Sequence, residues 1–195
     1  MKRSAEFERK TKETQISIKL DLDGKGRCDI HTGIGFFEHM LTLLGVHGLM
    51  DLSIQANGDI DVDLHHTVED VGIVLGEAVN RALGDRKGIF RYGHAVIPMD
   101  DALAEVTIDL SNRPYMRMIL PDPLPRQNDF DASLAGEFFR AFSTKSGMNL
   151  HIRVAYGDNW HHIIEAVFKG LGRALREAAS NDSRVAGIPS SKGSL

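Results

Sequence analysis

The chain has 195 residues, of which 42% are hydrophobic and 26% charged, a composition typical of a globular protein with a substantial core. Its formal net charge of −4 argues against nucleic-acid binding, and no apolar run is long enough to cross a membrane. The single cysteine, Cys28, excludes an intrachain disulfide, and the first four residues, Met-Lys-Arg-Ser, do not begin a secretion signal. We therefore expect a cytoplasmic protein whose partners are small molecules or further copies of itself.

Apolar spacing in the first half of the chain predicts strands and helices in the order β-β-α-β-α. Alternation with a period of two predicts strands, and the spacing of Phe37, Leu41 and Leu44 predicts a helix that ends near Gly45 to Gly48. The predicted strands cover residues 14–22, 28–30 and 50–56, with residues 60–62 a candidate further strand. A turn at Asn57-Gly58 then leads to the second helix.

The second half repeats this order, after a joint at residues 84–88. Strands are predicted at residues 104–110, 115–120 and 150–154, and a helix runs through Phe138 and Phe142. The proline-rich segment 121–125 is the one clear irregular insertion. We predict an α+β fold of two duplicated halves, residues 1–87 and 88–195, with the sheets outside and the helices packed between them as one catalytic domain.

Each half ends in a helix that begins with the motif His-His-x-x-Glu. The two copies, at residues 65–69 and 161–165, stay in register without a gap for a further nine residues, which indicates an internal duplication. Residues three and four apart share a helix face, so the glutamate and either histidine can converge on one cation, whereas adjacent histidines diverge by about 100°. The motifs therefore suit two metal ions better than one, and two matched copies argue against ordinary exposed histidines.

Seven segments of the chain, in order, resemble the signatures of the imidazoleglycerol-phosphate dehydratase family in its monofunctional form. They lie at residues 11–14, 32–40, 65–70, 98–103, 109–114, 161–169 and 189–193. Two positions depart from the usual pattern: Glu38 stands where Asp is usual, and Asn112 where Gly is usual. The resemblance covers nearly the whole chain and implies a fold like that of ribosomal protein S5 domain 2.

The resemblance implies two manganese ions per active site, held by six histidines and two glutamates. These ligands fall on His39, His65, His66, Glu69, His151, His161, His162 and Glu165. Four ligands for each ion would leave positions open on an octahedral metal for substrate or water. Imidazole and carboxylate ligands fit manganese without excluding zinc. The remaining histidines, His31, His47 and His94, are interpreted as structural or surface residues.

The implied reaction removes water from imidazoleglycerol phosphate to give imidazole acetol phosphate in histidine biosynthesis. The proton to be lost is not acidic, so the substrate's own imidazole must supply the electrons. A ring held by two metals as imidazolate can expel the neighbouring hydroxyl as a diazafulvene-like intermediate and then lose the C–H proton. The resemblance assigns the acid/base role to Glu13, with Glu165 assisting. Without the resemblance, Glu13 would be interpreted as an exposed strand-edge carboxylate.

The substrate phosphate requires cations, and the resemblance implies that it binds Arg91, Arg113, Lys169, Ser191 and Lys192, with Glu13 also contacting substrate. Lys169 has independent support, because it follows Glu165 by four residues on the same helix face. The alternative for Lys169 is a surface ion pair with Glu165, and for Ser191 and Lys192 a disordered tail. The resemblance further implies active sites shared between subunits of a homo-oligomer of 24 chains.

Two functions from other classes compete with the dehydratase. In a metal-storage or metal-sensing protein the histidines would hold ions without catalysis, but Arg91, Arg113 and Lys169 would then have no evident purpose. In a di-metal hydrolase, metal-bound hydroxide would attack a phosphate ester.

Overall fold

The computed structural model describes residues 3–195, so Met1 and Lys2, part of the charged start of the chain, lie outside the described residues. In the first half the elements are β1 (Ser4–Lys10), β2 (Thr14–Asp21), β3 (Cys28–His31), α1 (Gly35–Gly48), β4 (Asp51–Gly58) and α2 (His65–Leu83). In the second half they are β5 (Tyr92–Met99), β6 (Ala102–Asp109), β7 (Tyr115–Ile119), α3 (Ala132–Ser146), β8 (Asn149–Tyr156) and α4 (Trp160–Ala179). The α+β class and the duplicated pattern are confirmed.

Each half begins with one strand more than the sequence analysis predicted. Strand β1 alternates exposed and half-buried residues but turns only Ala5 and Phe7 inward, which is too few apolar residues for a clear signal. Strand β5 is interrupted by Pro98, which is tolerated because β5 lies at a sheet edge. The candidate strand at residues 60–62 is wrong, because these residues form a turn before α2.

The two sheets have the same topology. Their strand orders are β1-β2-β4-β3 and β5-β6-β8-β7, with the last strand of each order parallel to its neighbour and the others antiparallel. In β2 the residues Ile16, Ile18 and Leu20 are buried on the inner face while their neighbours face outward. The register of each sheet is fixed by this burial, because a shift of one residue would expose the apolar side chains.

The helices lie between the sheets, as predicted. Helix α2 packs on β1 and β2, α4 packs on β5 and β6, and across the middle α1 contacts α4 while α2 contacts α3. Glycines allow these helices to approach closely: a Cβ on Gly76 would lie 2.7 Å from the Phe142 carbonyl oxygen, and one on Gly172 would lie 2.6 Å from the Leu44 carbonyl oxygen. Within residues 3–195, no helix is long and apolar enough to span a membrane.

Buried aromatic rings fix the start of α4, where the second His-His motif lies. The ring centroids of Phe37 and Phe130 are 5.3 Å apart, and those of Phe138 and Phe168 are also 5.3 Å apart. Trp160, the first residue of α4, is buried and donates a hydrogen bond from Nε1 to the Phe130 carbonyl oxygen at 2.8 Å. The position of the motif is therefore set by the core.

Candidate functional site

The second His-His motif forms a compact group of donor atoms with a residue from α1. Asn159 caps α4 by accepting the His161 backbone N–H at 2.9 Å. His161 and Glu165 lie one helical turn apart, and Glu165 Oε2 is 3.1 Å from His161 Nε2 and 3.3 Å from His39 Nε2. The three donor atoms lie within 4.8 Å of one another, the one such group of three or more among residues 3–195. Two imidazoles and a carboxylate at this spacing are a potential metal site.

Lys169 binds the other oxygen of the same carboxylate. Its Nζ lies 2.6 Å from Glu165 Oε1, so Oε2 is left to the two histidines. Burial favours the neutral carboxyl, but the hydrogen bonds from Lys169 and His39 outweigh it, so the pKa of Glu165 lies below its ordinary value. Glu165 is therefore ionised and ready to bind a cation at neutral pH. Separately, burial and the nearby charge of Lys169 lower the pKa of His47 on α1.

The second histidine of this motif faces a different set of groups. His162 Nδ1 is hydrogen-bonded to Asp101 Oδ1, and the other oxygen of Asp101 accepts the backbone N–H groups of Asp158 at 2.6 Å and Asn159 at 2.9 Å. This hydrogen bond raises the pKa of His162 and lowers that of Asp101 to about 2. The exposed carboxylate of Asp100 lies 3.6 Å from His162 Nε2. The β5–β6 turn thus holds the imidazole from its Nδ1 side.

The first motif has a similar arrangement at the start of α2. His65 Nε2 lies 3.7 Å from Glu69 Oε2, again one helical turn apart. His66 Nδ1 lies 3.1 Å from Asp59 Oδ2, and this hydrogen bond raises the pKa of His66. The exposed carboxylate of Glu13, in the β1–β2 turn, lies 4.0 Å from His66 Nδ1.

Within one chain the eight predicted metal ligands therefore do not converge. His39, His161 and Glu165 form one group, whereas His65 and Glu69 pair separately on α2. The remaining predicted ligands are the two Asp-bound histidines and His151, which is exposed on β8 with its ring centroid 5.5 Å from that of Tyr115.

The predicted phosphate-binding residues are also divided between two places. The guanidinium of Arg91 binds both oxygens of Asp109, at 2.7 and 3.1 Å, and donates to the Pro189 carbonyl oxygen at 2.8 Å. These bonds hold the C-terminal segment, with Ser191 and Lys192 exposed two and three residues after Pro189. Arg113 is exposed, 4.0 Å from Asp109.

Lys169 lies away from this second group. Its Nζ is 3.3 Å from Met99 Sδ at the far end of β5, the strand that begins directly after Arg91. The ends of an eight-residue strand are about 25 Å apart at roughly 3.3 Å per residue. Lys169 therefore belongs with the histidine group, and the other four residues lie near the start of β5.

The sequence analysis missed the aspartates that bind the motif histidines. Asp101 lies inside one of the recognised signature segments, but nothing in its spacing connects it with His162, which follows 61 residues later. Asp59 lies directly before the turn at residues 60–62, which the sequence analysis had interpreted as a candidate strand. Both aspartates lie in a connecting segment that the fold places next to the start of a motif helix. The sequence does not show this proximity.

The fold and the site together define an internally duplicated α+β protein with clustered imidazole and carboxylate donors. Residues 32–175 match the family model described as imidazoleglycerol-phosphate dehydratase. Curated proteins named imidazoleglycerol-phosphate dehydratase from Desulfosudis oleivorans and Trichlorobacter lovleyi are 59% and 56% identical over 195 residues, the full length of both chains. The chain belongs to the imidazoleglycerol-phosphate dehydratase family and is a hydro-lyase, which excludes the hydrolase and storage alternatives.

Solved structures agree with this assignment. Imidazoleglycerol-phosphate dehydratase from Staphylococcus aureus has a TM-score of 0.81 at 38% identity, covering 92% of this chain and 99% of that chain. The corresponding enzyme from Pyrococcus furiosus has a TM-score of 0.85 at 36% identity, covering 97% of this chain and 100% of that chain. The fold expected from the sequence is the fold of these enzymes.

Proposed function

We propose that the chain removes water from imidazoleglycerol phosphate to give imidazole acetol phosphate in histidine biosynthesis, using two manganese ions per active site. The names of its full-length relatives support this substrate. The group formed by His39, His161 and Glu165 supports a metal, and it is the observation on which the proposal chiefly depends. Its donors are imidazole nitrogens and a carboxylate oxygen without a thiolate, a set that suits manganese.

The residues present fit such ions in other respects. Lys169 binds Oε1 of Glu165 and leaves Oε2 towards the histidines, while His66 and His162 are held through Nδ1 and so present Nε2. The residues proposed to hold the metals are His39, His65, His66, Glu69, His151, His161, His162 and Glu165. When bound, the ions would act as Lewis acids that stabilise the substrate's imidazole ring in its anionic form.

The chain's own acid/base work falls to Glu13. Its carboxylate is exposed in the β1–β2 turn and lies 4.0 Å from His66 Nδ1, so it can approach a substrate bound at the first motif. In the proposed reaction the hydroxyl on the carbon beside the imidazole ring takes up a proton and leaves as water, and Glu13 takes the proton from the adjacent carbon. The enol that results becomes the ketone after a proton returns to carbon. Glu165, ionised and bound by Lys169, assists Glu13 in the proton transfers.

We further propose that complete active sites form between chains of a homo-oligomer of 24. Two separations support this: the first motif lies apart from the His39 group, and Arg91, Arg113, Ser191 and Lys192 lie near the opposite end of β5 from Lys169. A substrate with imidazole at one end and phosphate at the other needs both kinds of group within its own length. Neighbouring chains that each contribute one kind of group to a common active site would satisfy that requirement.

The experiment follows mass and activity together after manganese is removed by a chelator and then restored. If metals bind ligands from different chains, metal binding adds free energy to association, so light scattering should show a smaller metal-free species that reassembles and regains ketone formation. Ketone formation that persists unchanged after complete removal of metal would refute the manganese proposal. An unchanged large mass without metal would refute a controlling role of metal in assembly.

A further inference from the structure

The second histidines of the two motifs share a feature that the first histidines lack. His66 and His162 each have Nδ1 against an aspartate carboxylate, from Asp59 and Asp101 respectively. The first histidines instead direct Nε2 at the glutamate of their own motif, His161 at Glu165 at 3.1 Å and His65 at Glu69 at 3.7 Å. A carboxylate can only accept a hydrogen bond, so its neighbour Nδ1 must carry the proton, and Nε2 of the neutral ring is then left with a free lone pair.

The aspartate that binds the histidine lies at a different position in each half. Asp59 lies in the loop between β4 and α2, a few residues before its histidine, whereas Asp101 lies in the turn between β5 and β6. The corresponding β1–β2 turn of the first half supplies Glu13, which stands 4.0 Å from the ring and makes no hydrogen bond to it. The same contact is therefore made from non-equivalent positions, so it does not follow from the duplication alone.

We propose that Asp59 and Asp101 are positioning residues that fix His66 and His162 in the tautomer able to bind metal through Nε2. This inference rests on the proposed function and adds to it two residues that bind neither metal nor substrate. Carboxylates that hold the second nitrogen of a metal-binding histidine fix the ring and raise its basicity, and their loss typically weakens metal binding about 10- to 100-fold.

The two aspartates differ in what else they bind, and this difference gives a sharp test. Oδ2 of Asp101 accepts two backbone N–H groups ahead of α4, so in Asp101→Asn the amide oxygen is retained there and the NH₂ group faces His162. An NH₂ group donates to Nδ1 and thereby puts the proton on Nε2, the atom that must bind metal. Within residues 3–195, the only hydrogen-bond partner of either Asp59 carboxylate oxygen is His66 Nδ1, at 3.2 and 3.1 Å. Asp59→Asn can therefore turn its oxygen to the ring and keep the hydrogen bond.

The experiment measures manganese affinity from the electron paramagnetic resonance signal of the free ion. Asp101→Asn and Asp59→Ala should weaken binding about 10- to 100-fold, whereas Asp59→Asn should stay within a few-fold of wild type. The matched control is Asp131→Asn, the same chemical change in a carboxylate that caps α3 by accepting the backbone N–H groups of Ser133 and Leu134. The unfolding midpoint of the chelated proteins checks that the fold is intact, and saturating manganese should restore most of the turnover.

The outcomes separate this inference from the function on which it rests. If wild type binds manganese and Asp101→Asn and Asp59→Ala bind it equally well, the positioning role is overturned alone. If Asp59→Asn falls as far as Asp59→Ala, the tautomer explanation is overturned, because the lost charge would then be responsible. If wild type itself binds no manganese, the proposed function fails and this inference with it.

Discussion

The two His-His motifs start equivalent helices in equivalent halves, yet their surroundings differ. The second motif lies against α1, whose His39 completes a group with His161 and Glu165, and Lys169 binds the same carboxylate. The first motif has no comparable third donor within the described residues, and its Glu69 is half-buried, whereas Glu165 is buried. The duplication therefore accounts for two similar helix starts, and the residues that surround them account for the difference between the two motifs.

The outer faces of the two sheets also differ, in the kind of side chain that they expose. The first sheet presents polar and charged residues, such as Glu6, Glu8 and Lys19, whereas the second presents large exposed side chains, including Tyr92, Val96 and Tyr115. A duplicated fold thus keeps its buried pattern in both halves, because packing constrains it, while its surfaces are free to diverge.

The largest expected effect tests whether both motifs belong to one catalytic unit. Replacing either His66 or His162 with Ala should abolish activity and lower bound manganese, because each removes a proposed ligand from a different half. Metal analysis and ketone formation are the measurements, and His31→Ala is the control, since His31 is exposed beside Asp29. Full activity with unchanged metal content in either variant would contradict the shared role of the two motifs.

The next effect concerns the turn that faces the first motif. Glu13→Gln keeps the size of the side chain but cannot accept a proton, so turnover should fall roughly 10²-fold or more while substrate still binds. Steady-state kinetics and direct binding of substrate measure the two quantities. Turnover within a few-fold of wild type would remove Glu13 from the mechanism.

A smaller effect tests whether the helix contacts are as symmetric as the duplication. Gly76→Ala and Gly172→Ala each force a Cβ against backbone of the facing helix, so each should lower the free energy of unfolding by about 1–3 kcal/mol. Gly136→Ala is the control, because its Cβ would lie 3.7 Å from Met118 and meets no backbone. Denaturant unfolding measures all three, and a large difference between Gly76→Ala and Gly172→Ala would show that the two contacts are not equivalent.

The smallest effect is the contribution of Asp51, in the first half, to the pH dependence of stability. Backbone N–H groups of Lys25 and Arg27, with the Arg27 guanidinium, lower the pKa of Asp51 to about 2. A lowered pKa contributes stability that is fully present above the ordinary value near 3.8 and is lost as the pH falls towards 2. Asp51→Asn lacks this contribution, so its stability measured between pH 5 and 2 should fall less steeply than that of wild type, and parallel curves would contradict the assignment.

The sequence alone determined most of the elements and their duplication. Periods of two and near four residues identified three strands and two helices in each half, because burial on one face imposes those periods. The gapless match between residues 65–78 and 161–174 identified the repeat and marked the starts of α2 and α4. The metal-type chemistry of the motifs followed from residue types and from helix geometry alone.

Only the tertiary structure decided which of these residues meet. Contact between α1 and α4 brings His39 to Glu165, although 126 residues separate them in the chain. Asp101 reaches His162 because the β5–β6 turn lies beside the start of α4, and no periodicity encodes such a contact between a turn and a helix. Edge strands β1 and β5 were missed for a related reason, since a strand that buries little apolar surface is specified by the neighbour with which it pairs.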